Sequence, residues 1–469
     1  MAGELYDVIV IGAGPTGENA ADRAVRGGLS AVIVESELVG GECSYWACMP
    51  SKALLRPVGV VAEAGQVRGV AGARLEPAEV LARRDSFTHN WKDDGQVEWL
   101  QGARIDLVRG HGRLTGERTV SVTNAAGTNA SGGDVTLTAR QAVVIATGTD
   151  ALVPPALADV RPWTSREATS AKSVPPRQAI IGGGVVGCEM AAAWQALGSR
   201  VTLVSRGGLL DRVPPFAGDL VTAGLRDAGV DVRTGVNVSA ATRAAADGPV
   251  TLTLDDGTSV EADEVLAAVG RTPKTGDIGL STVGLKDGSW LSVDDTMRVT
   301  DVAGGWLYAC GDVNHLALLT HMGKYQARVC GDAIAARAAG SEPLVRDIAS
   351  RTGVPQVVFT VPEVAAVGLT AEQATAAGIR VRVVEYEIGN VAGASLFADG
   401  YKGRAQMVVD EDHRVIVGLT LAGPGVGEMI HAATVAVVGE VPLDRLWHAV
   451  PSYPTMSELW LRLLETYGL

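Results

Sequence analysis

Two short apolar runs, each closed by a cluster of glycines and followed by an alanine-rich stretch, set the frame of the chain. Residues 6–11 read Tyr-Asp-Val-Ile-Val-Ile, the composition of a strand buried on both faces of a parallel sheet. Gly12-Ala13-Gly14-Pro15-Thr16-Gly17 follows, then a helical pattern over residues 18–26, then a second strand over residues 31–34 that ends in Glu35, eighteen residues past Gly17. Strand, Gly-x-Gly-x-x-Gly, helix, strand and terminal acid together predict a dinucleotide-binding unit. The glycines let the backbone approach a pyrophosphate, the helix N-terminus faces its charge, and Glu35 takes ribose hydroxyls. A Gly-x-Gly-x-x-Gly without that context could be no more than a tight turn. The device recurs: residues 178–181 run into Gly182-Gly183-Gly184-Val185-Val186-Gly187, a helix is expected over 188–197 and a strand over 201–204. This second strand ends in Ser205-Arg206. An acid there would repel a 2′-phosphate, whereas serine and arginine can accept one, so NADPH is favoured over NADH unless Arg206 is only a solvated loop charge.

Further strand ends punctuate the chain. Residues 142–148 form a strand closing into a turn at Thr147-Gly148, suited to the crossover between the two units, and residues 307–312 end in Gly311-Asp312, where the acid can accept hydrogen bonds from a polyol. Residues 124–134, rich in Gly, Ala, Asn and Ser, predict an exposed hairpin loop. From about residue 346 the nucleotide patterns stop and alternating strands and helices predict a separate α+β domain. The expected fold is therefore α/β, with two Rossmann-like dinucleotide-binding domains. The first spans 1–150 and is completed by about 275–345, the second spans 151–274, and the α+β domain spans 346–469.

The remaining composition narrows the partners. At 469 residues and 47% hydrophobic content, the chain can fill several cores. Fifty-three acids against forty Lys and Arg leave a formal charge of -13, which disfavours nucleic acid and anionic membranes and favours a small-molecule partner. No apolar run reaches the ~18 residues of a membrane span. The first residues lead into a strand without a basic start or a small-residue cleavage site, so a cytoplasmic location is expected.

The stretch Gly40-Gly41-Glu42-Cys43-Ser44-Tyr45-Trp46-Ala47-Cys48-Met49-Pro50-Ser51-Lys52 carries the candidate chemistry. In an unbroken helix, at about 100° per residue, Cys43 and Cys48 would lie roughly 140° out of register, so bridging them needs a distorted helix entry. Pro50, unable to donate a helical hydrogen bond, is expected to disturb the turn before it. A pair that closes into a strained disulfide and reopens is a redox device more readily than a staple. Ordinary buried cysteines or part of a zinc site are the bland readings. Zinc would need two more ligands, and Cys188, Cys310 and Cys330 stand apart without a second CxxC or a His pair, so no metal site is expected.

With these motifs in this order, the chain resembles, over essentially its full length, the flavin-dependent pyridine nucleotide-disulfide oxidoreductases, the group of dihydrolipoamide dehydrogenase, glutathione reductase and mercuric reductase. The resemblance implies FAD on Gly12, Gly14, Gly17, Glu35, Gly41, Thr147, Gly148, Gly311 and Asp312, the last at the flavin ribityl. It implies a nicotinamide cofactor on Gly182, Gly184, Gly187, Ser205, Arg206, Gly270 and Arg271. Cys43 would be the interchange thiol and Cys48 the charge-transfer thiol against the flavin. Lys52 and Glu189 would pair beside flavin N5, the lysine one turn beyond Cys48 supporting a thiolate. Residues 359–363 and 367–370 look like the opening of a dimerisation domain, implying a homodimer whose active site is shared between subunits.

One departure matters for substrate. The family's dithiol-exchanging members carry a C-terminal histidine, contributed by the partner subunit, with a glutamate five positions on; here residues 450–458 place Tyr453 at the histidine position and Glu458 after it. A phenol, with an ordinary pKa near 10, cannot shuttle protons near neutrality as imidazole does near 6.5, so exchange with lipoamide or glutathione is expected to be slow. Mercuric reductases also have tyrosine there, together with a vicinal cysteine pair near the C-terminus; residues 465–469 contain none, so metal delivery by that route is not expected. His448, beside Trp447, is expected to be a packed or surface residue. Glu42 next to Cys43 would raise the thiol pKa unless Lys52 outweighs it. The leading expectation is an NAD(P)H-dependent flavoprotein that reduces Cys43–Cys48 and then a small disulfide, with the partner's Tyr453 and Glu458 positioning it. A quinone, metal-ion or diaphorase-type reductase and a non-catalytic flavoprotein subunit are the alternatives.

Overall fold

The strand Glu4–Ile11 sits at the centre of a sheet because its Val8, Ile9 and Val10 are covered on both faces, each burial contributing about 2 kcal/mol. A computed structural model of the chain describes residues 4–127 and 134–469. Most of the loop expected at 124–134 thus lies outside the described residues, and the strand Thr119–Gly127 occupies its beginning. The chain divides into two bodies: Met1–Pro50 with Asp85–Asp150 and Arg271–Arg351, and Ser51–Arg84 with Ala151–Gly270 and Thr352–Leu469.

In the first body five strands run parallel in the order Asp106–Gly116, Ala31–Glu35, Glu4–Ile11, Val135–Ile145 and Leu307–Ala309. Thr119–Gly127 joins the ends of two of them antiparallel. Alternation sorts the side chains: Val8, Val10 and Ile33 meet the helices, while Ile9, Ile11, Val32 and Val34 enter a core on the other face. The helices Pro15–Arg26 and Thr320–Ala338 pack closely against each other. A Cβ at Gly331 would lie 2.5 Å from Arg23 Cβ, and one at Gly323 would lie 2.3 Å from Thr16 Oγ1, so their first turns meet. Arg23 Nη2 and Asp332 Oδ2, 2.7 Å apart, tie the pair further along.

The second body repeats the parallel device with Glu264–Ala267, Arg177–Ile181, Arg200–Ser205 and Asp231–Thr234, beside an antiparallel trio of Val238–Arg243, Val250–Leu254 and Ser259–Ala262. It also contains a five-stranded antiparallel sheet in the order Pro355–Val358, Glu363–Gly368, Val415–Gly423, Arg404–Asp410 and Val381–Glu387, with helices Ile430–Val438 and Leu459–Tyr467 in its core. Both nucleotide-type helices begin three residues earlier than the sequence pattern indicated, at Pro15 and Val185. The first turn needs no intrahelical acceptor for its amides, and a proline at the first position is already set to the helical φ. Among the described residues, no helix is long and apolar enough to cross a membrane.

Candidate active site

The first glycine turn is shaped by contact. Gly12 has φ +104°, and a Cβ on Gly17 would fall 1.9 Å from the Gly12 carbonyl oxygen, so helix and strand approach as only glycine permits. Gly14 caps the helix with extended backbone and no side-chain acceptor, and the space beside its α-carbon is open. Gly41 backs the turn, its Cβ position 2.8 Å from Gly14 Cα. Glu35 ends its strand with Oε2 accepting from Ala13 N at 2.7 Å and Oε1 from Glu37 N at 2.8 Å, which fixes the carboxylate beside the turn. At the neighbouring strand end Thr147 Oγ1 is buried without a partner, and Gly148 accepts from Lys274 N at 3.0 Å. Asp312 Oδ2 accepts from Thr149 Oγ1 at 2.7 Å and lies 3.9 Å from Arg271 Nε. Arg271 also donates to the Thr149 carbonyl at 2.7 Å. Asp312 and Arg271 thus meet within the first body, and Gly311 backs onto Thr16, whose Oγ1 would be 2.8 Å from its Cβ.

The second turn copies the first. A Cβ on Gly187 would lie 1.9 Å from the Gly182 oxygen, and Gly184 again faces open space. Ser205 does not present a free hydroxyl: it is buried, donates to the Gly208 carbonyl at 3.3 Å and fills the space above Gly183. Arg206 is exposed, as is Arg212 farther along the same loop. Gly270, exposed, accepts from Leu152 N at 3.0 Å.

The dithiol segment is a broken helix. Gly41–Tyr45 ends at Trp46, whose φ of -137° and ψ of 5° leave the helical region, and Cys48–Gly65 begins afresh. The distortion precedes Pro50 and does not arise from it: as third residue of the new helix, Pro50 lies where a missing amide costs nothing. Tyr45 pins the segment, its hydroxyl donating to the Val39 carbonyl at 3.0 Å while Trp91 Nε1 donates to the Tyr45 carbonyl at 3.1 Å. Cys48 Sγ lies 3.2 Å from Thr320 Oγ1, at the first residue of the helix Thr320–Ala338.

The neighbours of Cys43 act on its thiol in both directions. Cys43 is pushed far above the ordinary thiol range, first by its hydrogen bond with Cys48, then by burial and by charge on Cys48. Thr320 and Lys324 pull the other way. The largest single influence on the Cys43 thiol is thus its partner in the pair. The groups that act most strongly on Cys43 are Cys48, Thr320 and Lys324. Nearby, Glu18 is 8% exposed, with Oε1 lacking any partner. Burial raises its carboxyl from 4.5 to about 7 against the opposing charge of Lys324. A raised carboxyl pKa stabilises the fold fully below about pH 4.5 and loses that contribution as pH rises through 7. Replacing Glu18 with Gln should therefore leave thermal melting unchanged near pH 4.5 and raise it relative to the natural chain at pH 8.

In the second body Lys52 Nζ lies 2.7 Å from Glu189 Oε2, with the carboxylate buried and the lysine 36% exposed. Glu189 Oε1 also accepts from Phe359 N at 3.0 Å, and Lys52 stands 5.1 Å from the Phe359 ring centroid. Tyr453 is 76% exposed. Glu458 is buried, with Oε1 accepting from Arg462 Nη2 at 2.6 Å and Oε2 unpartnered. His448 is exposed.

Comparison with known proteins decides the family. The pyridine nucleotide-disulphide oxidoreductase model matches residues 6–340, and the dimerisation domain of the same family matches residues 354–463. The chain belongs to the pyridine nucleotide-disulphide oxidoreductase family. A dihydrolipoyl dehydrogenase of Haloferax volcanii is 32% identical over 473 residues, 98% of this chain and 95% of the relative. Dihydrolipoyl dehydrogenase 3 of Pseudomonas aeruginosa is 34% identical over 475 residues, 97% and 96% of the two chains. Among solved structures, LpdA from Mycobacterium tuberculosis shares the fold with TM-score 0.83 at 24% identity, covering 98% of this chain and 100% of that one. A Cu(II) complex of the HOCl-induced flavoprotein disulfide reductase RclA from Escherichia coli gives 0.82 at 22% identity, covering 98% and 99%.

As a pyridine nucleotide-disulphide oxidoreductase, the chain has two nucleotide-binding domains and a dimerisation domain. The open space at Gly14, the uncapped first-turn amides and the orphaned Thr147 Oγ1 fit the FAD of this family. Sequence reading missed Thr320, Lys324 and Glu18. Their only advance signal was the helical stretch eight residues after Asp312 and an acid inside the first glycine-turn helix. Sequence reading also treated Cys310 and Cys330 as solitary, whereas they hydrogen-bond to each other inside the core of the first body. Among the described residues no group of three or more potential ligands could hold a metal ion.

Proposed function

We propose that the protein is an NAD(P)H-dependent flavoprotein disulfide reductase whose Cys43–Cys48 pair passes electrons to a small disulfide at a homodimer interface. FAD, when bound, supplies the two-electron link between reduced nicotinamide and the disulfide. Gly12, Gly14, Gly17 and Glu35 would hold it, with Thr147, Gly148, Gly311 and Asp312 at the neighbouring strand ends. Gly182, Gly184 and Gly187 would hold the nicotinamide cofactor, and the Lys52–Glu189 pair is assigned to the flavin. The observation that carries the proposal is the broken helix at Trp46, which leaves Cys48 beside Thr320 and lets Cys43 hydrogen-bond to it. Cys48 holds the negative charge. Cys43 keeps the proton and, on losing it, attacks the substrate sulfur.

Anaerobic titration with NADPH or NADH tests this. A long-wavelength absorption band appearing at two electrons supports the dithiol route. Bleaching without the band, with no gain in titratable thiols, overturns it in favour of the quinone, metal-ion or diaphorase-type reading. That second reading is favoured by the exposed phenol of Tyr453, at the place where the resemblance would put an imidazole base.

NADPH is proposed over NADH, with Arg206 as the residue that supports it. Ser205 is spent on Gly208, so Arg206, with Arg212 available in the same loop, carries the phosphate contact. Arg206→Ala should raise the KM for NADPH about tenfold, equivalent to ~1.4 kcal/mol, and leave the KM for NADH unchanged. Equal changes for the two cofactors would remove the preference.

A further inference from the structure

Reducing a disulfide with two electrons and one proton gives a thiol and a thiolate, but reducing a substrate disulfide to two thiols consumes two protons. On the resemblance drawn from the sequence, Tyr453 stands where the family's dithiol-exchanging members carry the histidine that would supply the second. Resting on the disulfide-reductase reading above, we propose that Glu18 holds the second proton of the reduced dithiol centre and returns it as the substrate is reduced. Lys324 would shift its charge between the Glu18 carboxylate and the thiolate. Glu18 acts through Lys324 and is thus a positioning and proton-holding residue, not a nucleophile.

The geometry brings these groups to one place. Gly323 abuts Thr16, which joins the first turns of helices Pro15–Arg26 and Thr320–Ala338; Glu18 lies in the first turn of one and Lys324 follows Gly323 in the other. Thr320, at the head of the second helix, touches Cys48 at 3.2 Å. Lys324 acts by charge on both Glu18 and Cys43, so the carboxyl and the dithiol compete for one cation. The other charged or titratable groups facing Glu18 are Glu35 at its strand end and Tyr45 on the short dithiol helix. Glu35 is held by the Ala13 and Glu37 amides, and burial pushes the Tyr45 phenol up to about 12. The Tyr45 phenol therefore keeps its proton near neutrality. Glu18, buried with an empty oxygen, is the carboxyl able to change state.

The steps balance. In the oxidised centre Lys324 faces an ionised Glu18. Arrival of two electrons and one proton opens the Cys43–Cys48 bond to a thiol and a thiolate. The new anion draws on Lys324, and Glu18 takes one proton from solvent. Cys43, deprotonating, then forms a bond to one sulfur of the substrate disulfide and expels the other as the first thiol, which takes the Cys43 proton. Cys48 attacks Cys43, the disulfide re-forms, and the second thiol leaves with the Glu18 proton. The thiolate charge of the reduced state reappears as the Glu18 carboxylate, and no outside acid is needed.

The test measures proton uptake during anaerobic two-electron reduction of the FAD-loaded protein by its nicotinamide cofactor, in weakly buffered indicator solution, with thiols counted in parallel. The natural chain should take up a fraction of a proton that is largest near pH 7 and falls away by pH 8, and E18Q should lose that uptake. Lys324→Met, which removes the competing charge, should shift that maximum to higher pH. Uptake that is the same in E18Q and the natural chain overturns the proposal, as does uptake in the natural chain that does not change between pH 6 and 8. The latter needs no variant and holds even if both fail to fold. If no new thiols form on reduction, the disulfide-reductase reading itself has failed; if thiols form with unchanged uptake, only the role of Glu18 has.

Discussion

Cys48→Ser should abolish the long-wavelength band and lower NAD(P)H-driven disulfide reduction by about 10³-fold or more, because the variant removes the sulfur that holds the anion and closes the disulfide. Its neighbours predict the rest of the phenotype. Without the Cys48 sulfur its charge and its thiol hydrogen bond no longer raise Cys43, burial alone still does, and Thr320 and Lys324 continue to lower it. Cys43 in the variant should react with iodoacetamide at lower pH than in the reduced natural protein. Quinone reduction, which needs only the flavin, should persist. Retention of full disulfide reductase activity, or an unchanged pH dependence of alkylation, would contradict the assignment of charge to Cys48.

Gly17→Ala and Gly187→Ala should separate the two nucleotide sites. Each adds a methyl where the nearest backbone oxygen would lie 1.9 Å away, so the helix must move from its strand, at a cost of about 1–3 kcal/mol concentrated at the ligand turn. Gly17→Ala should purify with FAD largely lost. Gly187→Ala should purify yellow, with reduction by NAD(P)H slowed by about 10²-fold, the equivalent of ~3 kcal/mol, yet reduction by dithionite undisturbed. Loss of flavin from the Gly187 variant would contradict the assignment of the turns. Absorbance of the purified proteins and stopped-flow reduction read both outcomes.

The nucleotide-binding turns were legible because each is local: apolar strand, glycines and helix follow within twenty residues, and their spacing encodes the approach of backbone to backbone. The dithiol was legible for the same reason, although the break falls at Trp46 and owes nothing to Pro50. What surrounds the dithiol was not. Thr320 and Lys324 lie some 270 residues from Cys48, and the packing of Gly323 on Thr16 brings their helix near it, so no residue close to the cysteines in sequence announces them. Ser205 looked like a phosphate ligand by position, but its hydroxyl is turned inward to Gly208. Cys310 and Cys330, twenty residues apart, meet only because strand Leu307–Ala309 and helix Thr320–Ala338 share a core.

The contact of Gly323 with Thr16 has a thermodynamic corollary. The helix that would face a bound pyrophosphate and the helix that heads onto Cys48 are braced near their N-termini, so a bound cofactor and the cysteine pair would bear on one rigid element. Linkage is reciprocal: if bound FAD shifts the midpoint potential of the cysteine couple, the oxidation state of that couple must shift the dissociation constant of FAD by the same free energy. A protein stored reduced and one stored oxidised should then shed their yellow colour at different rates. Enlarging residue 323 should weaken that reciprocity before it weakens either site alone.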